Sequence, residues 1–243
     1  MNKDLDNILY SPIRNYNYSQ WFQDFQYNDK VLSDLERQDY IAEVNFTIDQ
    51  YSEGVPLILD ALKKHKEQHG EQDRFLETIY SVSLFVVITM IDILVVSKYF
   101  MLAEKDYERR LMRGKLSVIL NEGFKKLYGF GKVHKSTEWG RLSPLMKYYP
   151  EGIKEQYQKL TSLLEEQARS SLWWKKERDC ETHQDAEELV ESRLEEIIES
   201  KVMMDSMKLF EALLAVDHFI SNMHGCWLNY LLDKYKKGEL KLD

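Results

Sequence analysis

The segment WWKKERDCETHQD, Trp173 to Asp185, sets Arg178 and His183 five positions apart in a chain otherwise rich in regular helix patterns. On an unbroken α-helix that separation turns the second side chain about 140° away from the first. The two converge only where the helix ends between them, and Thr182 and Asp185 are residues of the type that start a new helix. An arginine that keeps its charge, beside a histidine that can exchange a proton near neutral pH, suits phosphodiester chemistry. The guanidinium can hold phosphoryl oxygens in two parallel bonds and stabilise extra negative charge, while imidazole moves the proton.

Other candidates carry less. His65 and His69 in HKEQH are four apart on one helix face, the spacing of two zinc ligands. Lys66 stands where the zincin pattern needs glutamate, so the pair reads as surface helix. Asp217, His218, His224 and Cys226 in DHFISNMHGCW are spread around a helix rather than gathered on one side, and no metal is expected there. Glu104, Asp106, Glu108, Arg109, Arg110 and Arg113 read as a solvated cluster of charges at a helix junction. Glu122 is placed to reach Arg178 if their helices are neighbours. No phosphate loop, dinucleotide fingerprint, nucleophile elbow or paired-cysteine knuckle occurs, and no cofactor is expected.

The elements that must position these residues are helices. Residues 1–30 are rich in Tyr, Asn, Gln and Trp without a period, and are expected to form an irregular arm laying aromatic groups on the body. Ile41, Val44, Ile48, Tyr51, Val55, Ile58 and Leu62 then draw one stripe along a helix. Gly54 and Pro56 interrupt it, and an interior proline predicts a kink or a break. A helix apolar on nearly every side follows from about Phe75 to Glu104, hence central. Its VSLFVVITMIDILVV run falls short of a membrane span and contains Asp92. Asp106 is the expected cap of the next helix, with Met112, Leu116, Ile119, Leu120, Phe124 and Leu127 inward. YGFGKVHKSTEWGRLSPLMKYYPEG lacks a period and reads as a functional loop or a short embedded helix. A helix with Ile153, Tyr157, Leu160, Leu164 and Leu172 on one side leads into the Arg178 segment. Asp185 and Glu188 form a capping box for a polar helix, and a last helix over about Val202 to Tyr235 turns Leu209, Leu213, Val216, Ile220, Met223 and Trp227 inward.

Composition agrees. With ten glycines, four prolines and 44% apolar residues among 243, the chain is expected to be all-α with a sizeable core. The net charge of -8 excludes wholesale coating of nucleic acid or anionic membrane. Cys180 and Cys226 are too few for a disulfide scaffold, and the start has no signal-type apolar run, so a cytoplasmic location without membrane contact is expected.

Arg178, Asp179 and His183 in ERDCETH match in turn the arginine, following polar residue and histidine of the R-x4-6-H motif, and the chain resembles the HEPN superfamily. That resemblance implies an antiparallel up-and-down helical bundle at residues 71–238, with residues 1–70 supplying the aromatic arm and an extra helix in one compact unit. It implies a homodimer bringing two motifs together, and in many members metal-independent endoribonuclease activity on RNA. By the same resemblance Arg178 binds the scissile phosphate, His183 acts as general acid or base toward a ribose 2'-hydroxyl, and Asp179 orients one of them. A helical module without catalysis, binding a partner protein, is the alternative.

Overall fold

The structure is a computed structural model that describes residues 34–69, 74–129, 136–171 and 199–237. Among them it is all helix, with no strand. In chain order the elements are α1 (Asp34–His69), α2 (Arg74–Leu102), α3 (Asp106–Leu127), α4 (Glu138–Leu142), a 3-10 turn (Ser143–Tyr148), α5 (Glu151–Ser171) and α6 (Glu199–Lys236).

The apolar helix α2 takes the centre. It packs against α1, α3, α4 and α6, and its side chains Ile79, Val82, Val86, Met90 and Ile93 are buried. A helix apolar on most sides buries itself against several partners, while Ile88, Tyr99 and Leu102 remain exposed. The helix extends past the apolar run singled out in the sequence: Phe75–Leu102, 28 residues whose most apolar 18-residue stretch has a mean hydropathy of 2.5, is long and apolar enough to cross a bilayer, and half of that stretch is buried inside the protein. Asp92 is on the exposed side, where partial desolvation raises its carboxyl from the ordinary value.

α1 lies along α2 in the most extensive helix pairing of the fold. Every member of the predicted stripe from Ile41 to Leu62 is buried or half-buried. Lys98 Nζ donates to Asn45 Oδ1 at 3.0 Å, and Lys66 pairs with Glu77 at 3.2 Å, tying the two helices at both ends. The predicted break at Gly54 and Pro56 does not occur: α1 is continuous with Pro56 inside it. An interior proline costs about 3 kcal/mol. Beyond it, buried Leu62 and His65 still dock on the bundle, and that gain offsets the lost bond.

The cap of α3 lies one residue before the expected one. Lys105 is the extended cap residue (φ -104°, ψ 140°) and Asp106 is the first residue of the helix. Glu108 Oε2 accepts from the backbone N–H groups of Glu104 and Lys105, both at 3.2 Å, the half of a capping box in which the carboxylate three residues on reaches back to the cap residue. The helix closes through Gly129, whose φ of 98° suits only glycine well and whose N–H donates to Phe124 O at 3.1 Å. α3 approaches α6 closely at Gly123, where a Cβ would stand 3.1 Å from Leu209 Cδ2.

The irregular stretch after α3 does contain a short embedded helix. Thr137 caps α4 by accepting from Gly140 N at 3.1 Å, and Glu138 pairs with Arg141 at 2.8 Å. Trp139 is fully buried, stacked on Tyr157 of α5 (4.6 Å, 10°) and tilted against Phe219 of α6 (5.3 Å). Its indole N–H donates to Thr161 Oγ1 at 2.9 Å, and Tyr157 O–H donates back to Trp139 O at 3.2 Å. A buried tryptophan of this kind is worth about 3–5 kcal/mol against alanine, so one residue fixes α4 between α5 and α6.

Candidate functional site

One end of the bundle carries an aromatic cavity built from three separated stretches. Phe75 and Leu76 come from the first turn of α2, Tyr148, Tyr149 and Pro150 from the 3-10 turn and its exit, and Cys226, Trp227 and Tyr230 from α6. Its volume is about 570 Å³, within the range of small-molecule sites.

Local sequence explains how the tyrosines reach it. A proline near the start of the 3-10 turn pre-sets its backbone, buried Met146 pins it, and Tyr149 leaves it extended (φ -104°, ψ 154°) with its N–H on Met146 O at 3.1 Å. Pro150 O then accepts from Ile153 and Lys154, starting α5. Leaving the turn extended parts the two rings: Tyr149 is buried and stacked on Phe75 (5.9 Å, 16°), while Tyr148 is 67% exposed and meets the edge of Phe75 (6.0 Å, 77°). Trp227 and Tyr230 are three apart on α6 and so share a face.

The titratable groups at this end are held neutral. Burial raises the Tyr149 phenol, with a smaller contribution from nearby Cys226. Burial also raises the Cys226 thiol. Behind the cavity, His224 of α6 packs on Tyr80 at 5.5 Å and is pushed down by burial, favouring neutral imidazole. A protonated thiol is a poor nucleophile. Further along α6, burial raises the Asp217 carboxyl, partly offset by His218 beside it.

A second polar feature lies inside the bundle. Arg113, Ser117 and Asn121, four apart on α3, are all buried, and Ser117 Oγ donates to Gly114 O at 2.8 Å. Arg113 therefore leaves the solvated cluster in which the sequence placed it, and both it and Asn121 have partners within the fold. His65 is likewise buried rather than on a surface helix. Asp217, His218, His224 and Cys226 do not form a ligand set; among the described residues no three His, Cys, Asp or Glu side chains gather as a metal site.

Arg178, Asp179 and His183 lie in 172–198, between α5 and α6, outside the described residues. The N-terminal aromatic arm, Cys180, Leu172 and the Asp185–Glu188 capping box also lie outside the described residues. Glu122, the expected neighbour of Arg178, contacts Lys125 at 3.5 Å. The cavity was missed because its residues are far apart in sequence; the signal available was the crowding of aromatic residues in MKYYP and CWLNY. No family model, curated protein or solved structure matches the chain.

Proposed function

We propose that this protein is a HEPN-type helical bundle that binds and cleaves RNA without a metal ion, as a homodimer, with Arg178 holding the phosphate and His183 exchanging the proton. The supporting observation is the position of the motif: it falls in the segment joining α5 and α6, two helices that pack on each other and share the Trp139, Tyr157 and Phe219 cluster. A motif carried between neighbouring helices of one bundle is the placement that the resemblance requires. In this reading the helices run antiparallel, as the pairing of Asn45 with Lys98 and of Lys66 with Glu77 supports for α1 and α2.

The test is incubation of the purified chain with a panel of RNAs in excess chelator, beside Arg178→Ala and His183→Ala. The expected outcome is cleavage leaving cyclic-phosphate ends, lost in both variants. Intact RNA across the panel, or equal cutting by the variants, removes the proposal.

A second reading, a partner-binding helical module without catalysis, is favoured by one observation. Leu228, Tyr230, Leu232 and Tyr235 at the end of α6 are each half or more exposed. Exposed apolar side chains concentrated on one helix end mark contact surfaces more often than isolated ones do. Intact RNA in the same assay gives this reading precedence.

A further inference from the structure

We propose that the aromatic cavity formed by α2, the 3-10 turn and α6 is a binding site for a small, neutral, planar aromatic molecule that carries a hydrogen-bond acceptor. This site is separate from the Arg178 and His183 motif and does not depend on the RNA reading.

Three observations carry it. First, the walls are stacking surfaces: Phe75, Tyr148, Tyr149, Trp227 and Tyr230 surround about 570 Å³, and Leu76 and Pro150 complete an apolar lining. Rings facing a common space favour a flat guest through offset stacking and edge contacts. Second, among the described residues no Asp, Glu, Lys, Arg or His lines the cavity. The charged residues nearest to the lining along the chain, Glu77, Lys147, Glu151, Asp233 and Lys234, are of both signs, and Glu77 and Glu151 are paired with Lys66 and Lys154. An ion entering would give up hydration with no opposite charge in the lining to replace it, so a neutral guest is selected. Third, one wall residue has a donor with nothing to donate to. Tyr149 is 6% exposed, and its hydroxyl has no hydrogen-bond partner among the described residues. The influence of Cys226 on that phenol puts the hydroxyl near the α6 wall, and burial keeps it protonated. A buried donor left unmatched is costly, so a carbonyl oxygen or ring nitrogen of the guest that accepts from it gains more than the same contact would at a surface.

Four probes of similar shape separate these features: 2-acetylnaphthalene, its saturated counterpart 2-acetyldecalin, the anion 2-naphthoate and the cation 2-naphthyltrimethylammonium. Binding of each to the full chain is measured by titration calorimetry at neutral pH. The aromatic ketone is expected to bind about tenfold tighter than either ion. It is expected to bind about fivefold tighter than the saturated ketone, which cannot stack. Tyr149→Phe keeps the ring that lies on Phe75 and removes the donor, and should weaken the aromatic ketone about fivefold.

Since any substitution in a wall can disturb folding, protection of Cys226 from iodoacetamide by the aromatic ketone, read by peptide mapping on the unmodified sequence, supplies a second measurement. Equal or tighter binding of either ion overturns the proposal. So does an aromatic ketone that binds no better than the saturated one, that keeps its affinity in Tyr149→Phe, or that leaves Cys226 as reactive as before.

Discussion

Burial sets the protonation of Tyr157, the residue around which α4, α5 and α6 meet. Its ring lies against Trp139 and Phe219, its hydroxyl donates to Trp139 O, and burial pushes the phenol up to about 12 from an ordinary value of 10.0. The folded value lies above the unfolded one, so the stability linked to this phenol is fully present below pH 10 and is lost as pH rises toward 12. The melting temperature, followed by circular dichroism, should therefore fall through that window, and Tyr157→Phe should reduce the slope. At neutral pH the same variant should cost about 1 kcal/mol, because Trp139 O loses its donor. An unchanged alkaline slope in the variant would sink this account. At the same scale, Arg113 shows where reading residues in a line fails. Polar side chains four apart on a helix describe a solvated stripe and a buried one equally well, and only the helices packed around α3 decide between them. Lys105 in place of Asp106 as the cap has a similar origin, since a glutamate three residues ahead accepts from the Lys105 backbone N–H.

Among the elements, α1 has a weak middle. Residues 49–61 contain no fully buried side chain, and within them Gly54 and Pro56 each carry a local cost. The Gly54 site is open: a Cβ added there would meet nothing within 4 Å. Gly54→Ala should thus stabilise the protein by about 1 kcal/mol through helix propensity alone. Pro56→Ala restores one backbone N–H to the helix, and should stabilise by about 2 kcal/mol after the freer unfolded chain is counted. Urea denaturation midpoints measure both; a fall in either midpoint would mean that the bend or flexibility of this segment is used elsewhere in the fold. Helices were the most legible level of this chain, because a stripe from Ile41 to Leu62, or Leu209 to Met223, needs only a period of 3.6 to be seen. The cavity was not legible, since no period links Phe75, Tyr149 and Trp227; their meeting is a property of how the first turn of α2, the exit of the 3-10 turn and α6 lie beside one another.

For the whole molecule, the central position of α2 predicts an order of stability. Its buried amides should exchange with solvent only through global unfolding, whereas those of residues 49–61 in α1 should exchange through local opening. Native-state hydrogen exchange in increasing denaturant reads this directly, and equal exchange free energies in the two regions would contradict it. The position of α2 also bears on the making of the protein. A 28-residue helix whose most apolar 18-residue stretch has a mean hydropathy of 2.5 is a hazard on any nascent chain, prone to aggregation and to capture by machinery that seeks apolar segments. Chain order supplies a remedy: α1 is synthesised first and offers α2 its most extensive partner, so half a shelter is waiting when the apolar helix emerges. Moving α1 behind α6 would keep every contact of the finished bundle while removing that early cover, leaving α2 bare until the last helix had been translated.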